Sequence, residues 1–517
     1  MSSAVESKTI PQLLDRLVAE FGDREAISDD GKSITYRELR TESEGFAKAL
    51  LAKGVVYGDA VGIWCPNRWE WIVSCVGAQL IGAVVVPLNT RLRAAEIGKV
   101  VSRSRIKLLV VVGEFLGQYY PDLLPDTTRS EIETVVVGPC RDDQSWSEFL
   151  EAGRGTSQQT LEHAKANVSP DSVLDLLYTS GTSGEPKGVL TSQQQNIQTF
   201  AVWADRANLV PGDRYLIISP FFHSFGYKAG WLAAFLKGAV VIPHQVFDAT
   251  EILERLHTEA ITVMPGPPTL FTEILGHPNL KDYDISQLRV AVTGSASVAP
   301  ALVRAMRQEL GIDVVLTAYG LSEASGLVTM CHAWDSPELI ASSCGQVIPG
   351  CEVYIRKLDG SVASPGEQGE VMVRGFNVML GYSGDTQATE ESITDEGWLH
   401  TGDIGHMDSL GYLYLTDRLK EMFIVGGFNC YPAEIERLML EHEGILEVAV
   451  IGVPDERLGE VGKAFIVLRA GQELAEDSLK SWCRENIANF KVPRYFEFVR
   501  SLPKSASGKV IRNELKH

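Results

Sequence analysis

The sequence predicts an α/β protein: a large N-terminal domain of stacked α/β sheets with a β-barrel-like subdomain, followed by a small α+β C-terminal domain. Three observations lead there. At 517 residues the chain exceeds what one hydrophobic core usually organises. Short β-branched runs at 83–86, 108–112, 134–137, 174–178, 215–219, 239–242, 290–293 and 314–317 alternate with helix-length amphipathic segments, as in parallel sheets covered on both faces. After about Gly345 the texture becomes glycine-rich with alternating residues, and it changes again near Thr416.

Each part follows from these patterns. The alternation at 353–358 and 370–374 suits strands of a smaller antiparallel or barrel-like unit. Beyond Thr416, segment 432–442 reads as a helix, 448–453 and 464–468 as strands, and 478–486 as a second helix. Those elements are enough for a compact α+β domain. No internal repeat or low-complexity tract interrupts the chain.

Composition narrows the function classes. A formal charge of −20, from 47 Lys and Arg against 67 Asp and Glu, repels polyanions, and no long basic run offsets it. Nucleic acid is therefore not an expected partner. The same acidity means that a phosphorylated ligand must be held by a local pocket of backbone N–H groups, a few cations and Mg²⁺. No apolar run is long enough to span a bilayer, and the N-terminal text lacks the pattern of a signal peptide. The eight dispersed cysteines contain no C-x-x-C pair, which suits buried reduced thiols and a cytoplasmic location.

Chemistry concentrates in a few segments. Thr179-Ser180-Gly181-Thr182-Ser183-Gly184-Glu185-Pro186-Lys187-Gly188 follows an apolar run with hydroxyls, glycines and one lysine. Glycines let N–H groups converge on a polyphosphate, and lysine supplies the charge the acidic surface lacks. It is not a Walker A loop, because the spacing and the Ser or Thr after lysine are missing. By itself the loop reads equally well as a surface turn. Gly459-Glu460-Val461-Gly462-Lys463-Ala464 reads as an ordinary turn before a strand, and Gly320-Leu321-Ser322 falls one glycine short of a serine-hydrolase elbow. Three further segments cluster chemistry after strands: 220–226 with His223, 292–296 with Gly294, Ser295 and Ala296, and 317–323 with Tyr319, Gly320, Ser322 and Glu323. Strand ends are where α/β sheets place ligands.

The loop at 179–188, Tyr319 to Glu323, Trp398 to Asp403, Asp417 to Glu421 and Pro503 to Lys509 come in the order of one family, and by them the chain is identified as a member of the acyl-CoA synthetases among adenylate-forming enzymes. The resemblance spans nearly the whole chain. It implies activation of a carboxylic acid by ATP and Mg²⁺ to an acyl-adenylate, then transfer to CoA. Thr179, Ser180, Gly181, Thr182, Ser183, Gly184 and Lys187 would cradle phosphates, and Glu323 would hold Mg²⁺. Tyr319, with Gly320 and Ser322 in its segment, would stack on adenine beside Gly294, Ser295 and Ala296. Asp403 would accept from the ribose hydroxyls with Arg418 nearby. His223 would line the acyl pocket, and Lys509 would bridge the carboxylate and the α-phosphate. The family's rotation would be hinged at 417–420 around Lys420, between a large domain at 1–416 and a mobile one at 421–517. Gly426, Gly427 and Phe428 would meet pantetheine after that rotation. Ser322 in place of threonine keeps a hydroxyl, and Ser295-Ala296 in place of Gly-Ala would reshape the acyl pocket.

Segments 221–230, 264–269, 291–298 and 316–324 resemble the branch that activates a bicyclic indanedione propanoate left by steroid degradation. Similar text occurs in ligases for medium-chain fatty and aryl acids. In the first case Lys228 or the Tyr227 hydroxyl would donate to a ring ketone; the alternative places Lys228 in solvent and the aromatics in the core. An amino-acid adenylating enzyme serving a carrier, a luciferase-like oxidative use of the adenylate, and a non-catalytic acyl or nucleotide binder are the competing functions. Self-association into a homo-oligomer stays open.

Overall fold

The computed structural model describes residues 7–92, 94–179, 187–294, 298–418, 421–425, 428–430, 432–455, 458–487, 489–505 and 509–515. Among them, two large sheets form the N-terminal domain. One runs, by strand, Gln346–Val347, Thr329–Met330, Val314–Tyr319, Val290–Gly294, Val263–Gly266, Arg214–Ile217, Val240–Pro243, Glu25–Asp29, Lys32–Thr35. Its interior from Val314–Tyr319 to Glu25–Asp29 is parallel, and antiparallel strands close both edges. The other runs Gly381–Tyr382, Lys187–Ser192, Val173–Thr179, Val84–Pro87, Ala60–Trp64, Ile106–Val112, Glu133–Val137, Gln144–Ser145. Parallel strands buried on both faces need continuous apolar text, which is why runs such as Ile106–Val112 were legible.

One contiguous core runs from Ile10 to Ile348 and joins both sheets. Its helices are set by local signals. The helix Gln193–Arg206 starts at Ser192, whose hydroxyl accepts from the Gln195 N–H while the Gln195 side chain accepts from the Ser192 N–H. Such a reciprocal cap is worth about 1 kcal/mol and starts the helix immediately after the strand Lys187–Ser192. Tyr36–Ala52 begins with the same device at Thr35 and Glu38.

The texture change after Gly345 corresponds to a four-stranded antiparallel sheet, Cys351–Arg356, Gly369–Gly375, Leu399–Met407, Leu413–Arg418. The smaller C-terminal domain has a sheet ordered Phe428–Cys430, Phe423–Val425, Gly459–Leu468, Ile445–Asp455, with Tyr495–Phe498 parallel to Gly459–Leu468. Helices Pro432–Met439 and Glu476–Asn486 accompany it. Here the reading of 459–464 as a turn is corrected. Gly462 pairs with Gly452 inside a long hairpin, and the Phe423 ring packs on both glycines, a Cβ at Gly452 falling 2.4 Å from Phe423 Cβ. Glycine in these strands makes room for a ring, which a turn-based reading of Gly-x-x-Gly misses. No described helix is long and apolar enough to cross a membrane.

Candidate nucleotide and acyl site

The phosphate-loop segment begins and ends on paired strands. Thr179 lies opposite Lys187 in the antiparallel pair Val173–Thr179 and Lys187–Ser192, and the Thr179 hydroxyl donates to the Lys187 carbonyl at 3.4 Å. The hairpin thus fixes both ends of the loop; Ser180, Gly181, Thr182, Ser183 and Gly184 lie outside the described residues. The Lys187 ammonium stands 4.8 Å from the centroid of the Tyr382 ring. The Tyr382 hydroxyl donates to Glu323 Oε1 at 3.0 Å. Two residues 136 positions apart in the chain, Lys187 and Glu323, are thereby joined through a third that sequence reasoning did not single out.

Glu323 sits half-buried in the short turn Ser322–Ala324 after the strand Val314–Tyr319. The geometry of that turn explains its small residues. A Cβ at Gly320 would fall 2.2 Å from the Gly326 carbonyl oxygen, and Ser325 and Gly326 take positive φ of 54° and 95°. The Ser325 hydroxyl donates to the Asn377 carbonyl at 2.8 Å and holds the left-handed residue in place. Gly294, at the end of its strand, pairs with Ala318, so it is adjacent to Tyr319; Ser295 and Ala296 lie outside the described residues.

Tyr319 is 8% exposed and its hydroxyl donates to Asp403 Oδ2 at 2.5 Å. Burial, then the neighbouring Asp403 charge, pushes the phenol far above its ordinary value, so it stays a donor. Asp403 comes from the four-stranded sheet, where it pairs with Arg418; for Arg418 the structure describes the backbone alone. A strand of the large sheet and a strand of the smaller one therefore meet through this bond.

His223 is half-buried at the start of a short helical segment. Burial, and secondarily the Lys509 ammonium, lower its pKa to about 4, so the imidazole is neutral at physiological pH. The same influence brings Lys509 of the C-terminal domain into the electrostatic reach of His223. Lys509 itself is exposed, and the Ser505 N–H donates to its carbonyl at 2.7 Å. Lys420, Gly426 and Gly427 lie outside the described residues, and Phe428 is described by its backbone, paired with Val425.

Both expectations for Lys228 are overturned, while Tyr227 follows the alternative that placed the aromatics in the core. Lys228 is fully buried, 3.1 Å from Asp175 Oδ1 and 3.0 Å from the Thr191 hydroxyl. Tyr227 is equally buried, and its hydroxyl accepts from Gln79 Nε2 at 2.5 Å. Neither faces an acyl pocket nor solvent. The physical reason is that the segment Tyr227–Leu232 winds as a π-helix beneath the strand Val173–Thr179, and an ammonium at that depth persists only beside a carboxylate. The Asp175 in an otherwise apolar strand was the available signal. Phe221 is likewise core, edge-on to Trp71 at 5.5 Å.

The donor set bears on Mg²⁺. Among the described residues no group of three or more His, Cys, Asp or Glu could hold a metal ion. Mg²⁺ characteristically takes one or two carboxylates and completes its shell with phosphate oxygens and water, so a single carboxylate beside a phosphate loop fits it.

Residues 14–383 match the family model described as AMP-binding enzyme, and residues 434–509 match that of the AMP-binding enzyme C-terminal domain. The chain is 45% identical over 516 residues, 98% of each chain, to the methyl-dioxo-octahydroindenyl-propanoyl:CoA ligase of Rhodococcus jostii (strain RHA1). It is 46% identical over 510 residues, again 98% of each, to the ligase of the same name from Mycobacterium tuberculosis (strain ATCC 25618 / H37Rv). Among solved structures it is similar to the anthranilate CoA ligase AuaEII in complex with anthranoyl-AMP, with a TM-score of 0.87 and 26% identity, covering 98% of this chain and 96% of that one. From the first of its strands to the last motif, the chain belongs to the AMP-binding enzymes.

Proposed function

We propose that this enzyme is an acid–CoA ligase that makes an acyl-adenylate from ATP and passes the acyl group to CoA, with a bicyclic dioxo-octahydroindene propanoate, the steroid-derived acid anticipated from segments 221–230 and 264–269, as substrate. The observation that carries the reaction is the joining of Lys187 and Glu323 through Tyr382, and the Lys509 charge, felt at His223, supports it. What supports the acid is the 45–46% identity, over nearly full length, to two ligases named for it.

The chemistry follows from charge. A carboxylate is a poor nucleophile toward a polyanion unless cations offset the repulsion, and its attack at the α-phosphorus, which breaks the bond to the β-phosphate and expels pyrophosphate, concentrates negative charge on the phosphate oxygens. Lys509 and Lys187 would supply that charge, and Glu323 would hold Mg²⁺, which neutralises phosphate oxygens when bound. Asp403, with Tyr319 fixed against it, would accept from the ribose, and Tyr319 with Gly294 would border the adenine. A neutral His223 lets the acid approach without being trapped as an imidazolium ion pair. The thiol of CoA then displaces AMP from the mixed anhydride, in a second step for which the domain at 421–517 would turn about 417–420, moving Lys509 out and Gly426 to Phe428 in.

Since Lys228 and Tyr227 are committed inside the core, selection for rings rests on the shape of the pocket rather than on a hydrogen bond from either. CoA-dependent AMP release with the bicyclic propanoate and with octanoate tests the assignment. The expected result is a higher kcat/KM for the bicyclic acid. A preference for octanoate would remove the substrate and leave the ligase; no AMP release with any acid would remove the ligase.

A further inference from the structure

Tyr382 is not one of the residues the motifs single out, yet it is fastened to both halves of the phosphate site. Its residue pairs with Val189 on the strand that leaves the phosphate loop, and the next N–H, that of Ser383, donates to the Gly188 carbonyl at 2.7 Å. Three residues earlier, the Met379 N–H donates to the Glu323 carbonyl at 2.8 Å. The Tyr382 N–H itself donates to the Thr389 hydroxyl at 2.9 Å, and Gly381, at φ 143°, lets the backbone bend there with Thr389 packed against it. The ring is thus held in place by its own backbone. From that position its face meets the Lys187 ammonium at 4.8 Å and its hydroxyl reaches Glu323 Oε1 at 3.0 Å.

We propose that Tyr382 is a positioning residue that aims the Glu323 carboxylate at a divalent cation and steers Lys187 toward the polyphosphate, so that one side chain sets the spacing of the two charges. This deepens the function proposed above and rests on it. A carboxylate with one oxygen engaged by a phenol presents its other oxygen in a defined direction, and such supporting partners typically govern metal affinity about 10- to 100-fold. A cation held over a ring face keeps its direction without losing its charge to an acid, which a salt bridge to Glu323 would do. A tyrosine filling space in the core of the smaller sheet would also look buried and bonded, but would leave metal affinity unchanged on loss of its hydroxyl.

The test reads binding as well as turnover. Binding of a non-hydrolysable ATP analogue is followed by calorimetry as Mg²⁺ is titrated, for the wild type, Tyr382→Phe, Glu323→Gln and the double variant. Tyr382→Phe is expected to raise the Mg²⁺ midpoint about tenfold while retaining analogue affinity at saturating Mg²⁺. The double variant should match Glu323→Gln, because the hydroxyl acts through that carboxylate. Tyr382→Leu, which also removes the ring face, should in addition weaken the analogue in EDTA, where Mg²⁺ and Glu323 no longer contribute and a change at Lys187 is exposed. An unchanged midpoint in Tyr382→Phe, or a double variant whose shift is the product of the two single shifts, overturns the proposal. A Glu323→Gln midpoint equal to wild type would instead sink the underlying assignment of Glu323.

Discussion

Lys228 and Lys509 are the same residue type in two regions of the molecule, and the fold uses them in opposite ways. Lys228 lies in the large domain with no exposure, its charge matched by Asp175 and the Thr191 hydroxyl. It ties the hairpin that carries the phosphate loop to the segment that follows His223. Burial lowers its pKa, and Asp175 opposes that shift. Lys509 is exposed in the C-terminal domain, and its field is felt at His223. Three residues on, Arg512 anchors the chain by donating to both Glu436 oxygens at 2.7 and 2.8 Å and to Glu421 at 2.6 Å. A buried ion pair consumes its charge in holding structure, whereas a charge that is to act on a substrate must be held by its backbone and left near the surface.

The comparison can be broken first at the buried lysine. Lys228→Met should cost about 3–5 kcal/mol in chemical denaturation, because Asp175 is left buried without a counter-charge. Pairing it with Asp175→Leu should recover most of that loss. In protein that folds, the ratio of kcat/KM for bicyclic and straight-chain acids should stay at the wild-type value; a changed ratio would return Lys228 to the acyl pocket. At the exposed lysine the division is reversed. Lys509→Ala should leave stability unchanged and slow adenylation roughly 10²- to 10³-fold, while a supplied acyl-adenylate is still converted by CoA to thioester. Equal loss in both half-reactions, measured separately, would remove its role.

Lys420→Pro sharpens the comparison between domains. By fixing φ at the proposed hinge it should slow thioester formation and spare adenylation, and normal overall turnover would put the hinge elsewhere. The smallest effect is a titration. Histidine proton resonances should show His223 titrating near pH 4, and Lys509→Ala should move it upward but short of the ordinary 6.5, since burial is the larger cause. The sign for stability follows: the unfolded chain takes up this proton first, so stability falls as pH drops from 6.5 toward 4 and is unaffected above. A value unchanged in Lys509→Ala would mean that Lys509 and His223 do not meet in solution, and a wild-type value near 6.5 would mean that His223 is not buried.

Strand runs such as Ile106–Val112 and Val314–Tyr319 were legible because parallel strands covered on both faces require unbroken apolar text. The short strand Ala60–Trp64, with a glycine at its centre, and Lys187–Ser192, read as the tail of a loop, were not. The motif residues Lys187, Tyr319, Glu323, Asp403 and Lys509 could be proposed because the segments that hold them come in the order of a known family, which the chemistry of each residue taken alone did not supply. Tyr382 could not. A Gly-Tyr pair carries no chemical signature, and its reach to Glu323 exists only once the strand Gly381–Tyr382 has joined the sheet edge beside Lys187–Ser192.

By itself, then, the sequence determined the α/β class and the texture change near Gly345, since these depend on local periodicity, and its family resemblance nominated the charged groups. Where each charge points was decided only in three dimensions. Whether Lys228 met a ketone, water or Asp175 depended on how the segment Tyr227–Leu232 wound under a strand fifty residues earlier, and no local pattern specifies a partner at that separation.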